Sequence, residues 1–381
     1  MKQSKEQLLE LIRCGLWDTV PNIALFEQGV NWKEIFRLAQ EQTVSGVISV
    51  AIEKLPLTVR PPRVEALRLH QAISLNRQYR AYQTVVLGKV LEILREAGVE
   101  RPVLLKGLGV GFNYPDPTLR QCGDLDIYVG KELYSKVWSY LSERYEGVEK
   151  EEDNMSDQHF HFEFMDTQIE IHKYATAPNS VVYHSNEFMQ WVVAQLEGDN
   201  LREVTMEGVK VYLPPCDFDF IFIFYHSWRH FLNGGIGLRQ LCDWCCHINT
   251  FYDKLDTAEL AQFVKRFKLQ TPISIFATIA VKSLGLPEDK FSGIVSTSHK
   301  KYISVLDKIW EGGNFGFYHE RRKKRSKTVF ERKCRSFKAQ IQYMIFLIGI
   351  DAAYSIRYYI PAFGRSFRIA FKKRKELNDK I

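Results

Sequence analysis

The segment Gly123-Asp124-Leu125-Asp126-Ile127-Tyr128-Val129 constrains this chain more than any other stretch of it. In an extended strand alternate side chains share a face, so Asp124 and Asp126 point one way while Leu125, Ile127 and Val129 point the other. The apolar face demands a packed sheet. Two carboxylates side by side on a buried strand repel each other and resist leaving water. A divalent cation removes both difficulties, and hard ions such as Mg²⁺ take oxygen ligands. The alternative for a bare D-x-D is a strand edge with two solvated acids.

What precedes this segment narrows the choice. Val103-Leu104-Leu105 reads as a buried strand that runs into Lys106-Gly107, and Leu108 to Tyr114 reads as a loop or short helix, broken by Pro115-Asp116-Pro117. A strand ending in a glycine turn exposes backbone N–H groups and lets a phosphate chain approach closely. The glycines alone also suit an ordinary turn. The order strand, glycine turn, short helix, D-x-D strand is more specific than either part.

The stretch LLKGLGVGFNYPDPTLRQCGDLDIYV resembles the signature of the bacterial nucleotidyltransferase-like proteins of the polymerase-beta superfamily, whose members read LKG, an aromatic, Arg, then D-x-D. The resemblance spans roughly residues 30 to 315. It implies a glycine turn that holds the nucleotide, an acid pair that binds two metal ions, and a third acid on a neighbouring strand. Carried over, Gly107 is the turn glycine and Asp124 and Asp126 are metal ligands. The superfamily often has Gly-Ser at the turn. Here Leu108 follows Gly107, so the hydroxyl contact to phosphate is lost and Lys106 supplies charge instead.

The third acid is expected on Gln168-Ile169-Glu170-Ile171-His172, where Glu170 and His172 share a face, and the family's E-x-H supports it. If Asp166-Thr167 is a two-residue hairpin turn, Met165 pairs with Gln168, Glu163 with Glu170 and His161 with His172. His159, His161, Glu163, Glu170 and His172 then line one face, and Phe160, Phe162, Phe164, Ile169 and Ile171 the other. The clean apolar face favours that register. The polar face is either a solvated sheet surface or a site in which Glu170 is the third ligand and His161 and His172 contact phosphate or acceptor. Arg120, just before the D-x-D strand, suits either a phosphate or a structural ion pair.

Residues 1 to about 55 read as helices. Pro61-Pro62 open a long helix ending near Ala97 and Gly98, Lys131 to Glu146 reads as a helix, and from Pro214 the pattern is helical to the end. His226 and His230 fall on one helical face at i, i+4, a spacing that suits either metal binding or two packed, hydrogen-bonded histidines. Asp243 lies in an apolar helix four residues from Arg239, and a buried acid needs a partner. This region is expected to wall an acceptor pocket, with His226, His230 and Asp243 as substrate contacts. Gly312-Gly313-Asn314-Phe315-Gly316 also looks family-like, with no role assigned.

With 45% apolar and 25% charged residues the chain is not of disordered composition. The seven cysteines have no disulfide-framework spacing, which points to reduced thiols in a cytosolic protein. The N-terminus lacks a signal peptide's apolar core, and no segment reaches the roughly 20 apolar residues of a spanning helix. From Tyr318 onward 18 Lys and Arg face 5 Asp and Glu. Two basic runs, Arg321 to Lys327 and Lys372 to Lys375, flank the apolar stretch Tyr343 to Phe363. That arrangement suits either peripheral contact with an anionic membrane through 321–375 or an apolar side docked on the core; nucleic acid is the less favoured partner.

The expected fold is thus α/β (α+β): a polymerase-beta-like nucleotidyltransferase core with a small mixed sheet (99–213), a helical region before it (1–98), a helical acceptor-side domain after it (214–317) and a basic helical tail (318–381). The expected activity moves a nucleoside monophosphate from an NTP, ATP among them, to an unidentified acceptor. Two Mg²⁺ ions (or Mn²⁺) on Asp124, Asp126 and Glu170 assist the attack and the departure of pyrophosphate, while Lys106 and the backbone of Gly107 and Leu108 hold the phosphates. The alternatives are a non-catalytic nucleotide-sensing or partner-binding module on the same fold, or a histidine-rich metal hydrolase.

Overall fold

The computed structural model describes residues 2–150, 158–176, 182–318, 329–361 and 363–364. Helices α1 (Lys2–Trp17), α2 (Ala24–Glu27), α3 (Trp32–Glu41) and α4 (Ser45–Glu53) come first. Asn31 starts α3 by accepting a hydrogen bond from the Glu34 N–H, and Trp32, Ile35, Leu38 and Ala39 form its buried stripe. Pro62 stands directly before α5 (Arg63–Glu96), and Gly98, at φ +95°, lets the chain leave it.

Strand β1 (Val103–Leu104), helix α6 (Leu108–Gly111), strand β2 (Leu125–Tyr128) and helix α7 (Lys131–Ser142) follow. Then come β3 (Glu149–Lys150), β4 (His159–Phe164), β5 (Thr167–His172), α8 (Ser185–Glu197), β6 (Arg202–Met206) and β7 (Val209–Leu213). The seven strands make one mixed sheet in the order β3-β4-β5-β2-β1-β7-β6. β2 runs parallel to β5 and antiparallel to β1, while β1 runs parallel to β7.

The period-2 pattern divides the sheet into two faces. Leu125, Ile127, Phe160, Phe162, Ile169 and Ile171 are buried in one core with Val86, Leu87, Val90, Leu91 and Leu94 of α5 and with Tyr134, Val137 and Leu141 of α7. Each such side chain contributes about 1.5–3 kcal/mol by leaving water, and a one-residue slip would turn all of them outward. This covered face fixes the register that sets Asp126 beside Glu170 on the opposite face, since β2 and β5 pair residue for residue, Asp126 with Glu170 and Tyr128 with His172.

That opposite face looks toward helices α9 (Cys216–Asn233) and α10 (Leu238–Phe251), followed by α11 (Thr257–Arg266), α12 (Gln270–Lys282) and α13 (Tyr302–Gly312). Cys242, Cys245 and Cys246 are free thiols buried in the α10 core, and burial raises the pKa of each. A helix over Val329–Ile348 and another over 352–361 close the described chain. Part of the apolar stretch docks on the core: Tyr343, Leu347, Tyr354, Tyr358 and Tyr359 join the main core, and Trp228 Nε1 donates to the Tyr354 hydroxyl at 2.8 Å, while Ile345, Ile348, Ile356 and Ile360 stay exposed. The basic runs Arg321 to Lys327 and Lys372 to Lys375 that flank it, the other half of the membrane expectation, lie outside the described residues. No helix among the described residues is long and apolar enough to cross a membrane.

The structure departs from the sequence expectation in several places, among them β3 and α8, which were not foreseen, and β2, which starts at Leu125 rather than Asp124. The β4–β5 turn is Met165-Asp166, both at positive φ (49° and 51°), so His159 pairs with His172 and His161 with Glu170. The pairing is displaced by two residues, which preserves the faces but exchanges the histidines. The helix expected to reach Glu146 ends at Ser142. The β6–β7 hairpin, turned at Glu207-Gly208 with φ 47° and 88°, extends the sheet by two strands that the sequence reading did not contain.

Candidate active site

The D-x-D strand meets its neighbours at the open end of the sheet. Gly107 adopts φ 58°, ψ −117°, a conformation that L side chains rarely take, and a Cβ there would lie 3.2 Å from the Asp124 carbonyl oxygen. The turn brings Lys106 Nζ to 2.6 Å from Asp126 Oδ1. Leu108 is wholly buried in the sheet core. Gln83 of α5 donates to the Gly123 carbonyl, which steadies the approach to Asp124.

Asp124, Asp126 and Glu170 each place a carboxylate oxygen within 4.8 Å of the other two. Their electrostatics differ. Burial, followed by the adjacent Asp126 carboxylate, raises the Asp124 pKa. Asp126 is only 2% exposed. Burial alone would raise its pKa, but Lys106 and His172 outweigh it and hold this carboxyl well below the usual range. His172 Nε2 donates to Asp126 Oδ1 at 3.0 Å and lies 3.3 Å from Glu170 Oε2. Burial disfavours its charged form, yet the two carboxylates prevail and raise its pKa.

These groups open into a cavity of about 510 Å³. Its near wall carries Lys106, Gly107, Asp124, Asp126, His159, Glu170 and His172, and its far wall includes His226, Arg229, His230, Arg239 and Asp243. His226 and His230 stack edge to face with ring centroids 4.4 Å apart. Burial, then Lys106, pushes His226 well below the ordinary imidazole range, and burial, then Arg229, takes His230 down to about 3, so both are neutral at pH 7. His161 is not among the lining side chains. The two-residue register displacement puts His159 in the position foreseen for it.

Arg120 and Asp243 lie against the cavity but are engaged with each other. Arg120 Nε reaches Asp243 Oδ1 at 2.7 Å and Nη2 reaches Oδ2 at 2.8 Å, a bidentate pair that the Tyr114 hydroxyl completes at 2.7 Å. Arg239 Nη1 stands 3.7 Å from the same carboxylate. Of the two roles open to Arg120, the ion pair is the one formed. It braces the D-x-D loop against α10.

Sequence reasoning missed Thr43, Asn314 and Phe315, which also line the cavity. Phe315 sits in the left-handed region at φ 49°, flanked by Gly313 and Gly316 at positive φ. Its ring meets His230 edge-on, centroids 4.9 Å apart, and Asn314 Oδ1 accepts from Gln240 Nε2 at 3.0 Å. The glycines were visible as a motif, but nothing local in the sequence told where the loop would land.

A family model described as uncharacterised nucleotidyltransferase matches residues 28–285, well over half of the chain. The chain belongs to this nucleotidyltransferase family. The matched span holds both walls of the cavity, including the acid trio, Lys106 and the His226–His230 pair; Asn314 and Phe315 lie beyond it. No curated protein and no solved structure matches the chain. Membership of the nucleotidyltransferase family implies an NTP substrate and a divalent metal, and the two groups of ligating side chains in the cavity are able to hold one.

Proposed function

We propose that this chain moves a nucleoside monophosphate from an NTP to an acceptor hydroxyl, phosphate or amine and releases pyrophosphate. The observation that carries the reading is the convergence of Asp124, Asp126 and Glu170, ligand oxygens within 4.8 Å, in a chain of this family. The donor set fits hard divalent cations of the Mg²⁺ or Mn²⁺ kind. It offers only oxygens, and the burial and, after it, the Asp126 charge that raise Asp124 are what a shared cation offsets. Two such ions, when bound, supply charge neutralisation on the phosphates and on the attacking and departing oxygens.

The chain's own residues supply position and charge. Asp126 and Glu170 stand abreast on paired strands, so their carboxylates are oriented by the sheet before any ligand arrives. Lys106, now on Asp126, lines the same cavity and would offer its charge to a triphosphate, beside the Gly107 turn whose backbone would meet it. His172 holds Asp126 and Glu170 together through one Nε2–H. Across the cavity the neutral His226 and His230 each offer one donor and one acceptor, and Arg229 lines the same wall; that wall suits a polar acceptor. Asp243, on the same wall, braces Arg120.

The test is Mg²⁺-dependent pyrophosphate release, screened with the four NTPs against an acceptor library. The reading expects release with at least one pair, abolished by chelation and by Asp126→Ala. A folded Asp126→Ala variant that keeps NTP-dependent labelling would remove the assignment.

A further inference from the structure

NMP transfer on three carboxylates requires no imidazole at the metal centre, yet the structure places two beside Glu170. We propose that His159, Glu170 and His172 form a second cation site, one that selects a transition ion of the Zn²⁺ class over Mg²⁺. One ligand atom from each lies within 4.8 Å of the other two. His172 Nε2 is 3.3 Å and His159 Nε2 is 4.0 Å from Glu170 Oε2. Ligands about 2.0–2.1 Å from a tetrahedral Zn²⁺ stand roughly 3.3–3.4 Å apart. The His172 edge already has that spacing, and the His159 edge is longer.

The scaffold is rigid where it must be. His159 and His172 are directly opposed across the β4–β5 ladder, with ring centroids 5.0 Å apart and planes inclined by 36°. Glu170 sits two residues from His172 on the same face of β5. All three line the cavity, so an ion has a route in. Two imidazoles and one carboxylate favour Zn²⁺, Co²⁺ or Mn²⁺, the first two most strongly, whereas Mg²⁺ binds oxygen almost exclusively. Because Glu170 belongs to both groups, this ion would share a carboxylate with the acid trio. Coordination of His172 Nε2 would take its hydrogen bond from Asp126, leaving Lys106 as that residue's partner.

The site does not depend on NMP transfer, and its test is spectroscopic. The full chain, stripped with a chelator and returned to millimolar Mg²⁺, is titrated with Co²⁺, and the visible d–d absorption is followed. The expected result is one equivalent of Co²⁺ bound with an imidazole-type spectrum and displaced by Zn²⁺. Asp124→Asn should retain it, and His159→Gln should weaken it at least tenfold. Binding unaffected by His159→Gln, or lost in Asp124→Asn while kept in His159→Gln, or abolished by excess Mg²⁺, overturns the proposal. If His159→Gln does not fold, X-ray absorption at the zinc edge of the unmutated protein decides: two nitrogen ligands support the site and an all-oxygen shell refutes it. Absence of pyrophosphate release would defeat the proposed activity and leave this result untouched.

Discussion

Replacing Asp124 by Asn should make the metal-free protein more stable while removing its response to Mg²⁺. The raised pKa of Asp124 means that its ionised form is disfavoured where it sits, first by burial and then by Asp126. Asparagine keeps the shape and deletes the charge. Two like charges no more than 4.8 Å apart repel by about 3.5 kcal/mol or more at an effective dielectric of 20. Lys106 and His172 offset part of this, and solvent reaching a half-buried group screens more, leaving a gain on the order of 1–3 kcal/mol. For a chain of this length that is a rise in Tm of roughly 1–4 °C. The assay is thermal unfolding of both proteins with chelator and with millimolar Mg²⁺. The unmutated chain should gain stability from Mg²⁺ by mass action, and Asp124→Asn should gain little. A variant less stable than the parent in chelator, or equally stabilised by Mg²⁺, refutes the reasoning.

Other perturbations separate structure from chemistry. Asp243→Asn leaves the Arg120 guanidinium buried without its counter-charge and should cost about 3–5 kcal/mol, read by denaturant unfolding. His247 is held neutral by burial and then by Arg202, its pKa down to about 3, with Nε2 donating to the Cys216 carbonyl at 2.9 Å. Its folded pKa lies below the unfolded value near 6.5, so the unfolded chain takes up the extra proton. Stability is intact above about pH 6.5 and falls by about 1.4 kcal/mol per pH unit below it, roughly 2 kcal/mol by pH 5. His226 and His230, also lowered, add to the same slope, so His247→Asn should reduce it by about one proton's share. Gly107→Ala forces a non-glycine residue into φ 58° and a Cβ against the Asp124 carbonyl; it should cost on the order of 1–3 kcal/mol and depress pyrophosphate release by more than the stability loss explains.

The near wall of the site was legible because strands write their burial in a period of two. Asp124, Asp126 and Glu170 stand on the polar side of segments whose other side is wholly apolar, and that alternation survives without knowledge of the fold. The hairpin turn was misplaced because Asp166-Thr167 has ordinary turn chemistry, whereas the chain turns at Met165-Asp166, with a methionine at positive φ. Tyr82 of α5 caps that turn by donating to the Met165 carbonyl at 2.8 Å, a tertiary contact no local pattern announces. The β6–β7 hairpin had a readable signal, two alternating segments around Glu207-Gly208. On the far wall His226, His230 and Asp243 were read from helical spacing and a buried acid, but Thr43 and Phe315 were not. Thr43 and Phe315 are separated from the D-x-D strand by long stretches of chain, and packing alone brings them to one cavity.

The proposed activity stands or falls on Asp124, Asp126 and Glu170 holding divalent ions beside an NTP. Its most direct test is an anomalous-scattering map of the protein crystallised with Mn²⁺ and a non-hydrolysable NTP. The account predicts manganese bonded to oxygens of all three residues at about 2.1–2.2 Å, with the triphosphate running past Lys106 and Gly107. Nucleotide bound elsewhere, or seated there with the three carboxylates free of metal, would contradict it.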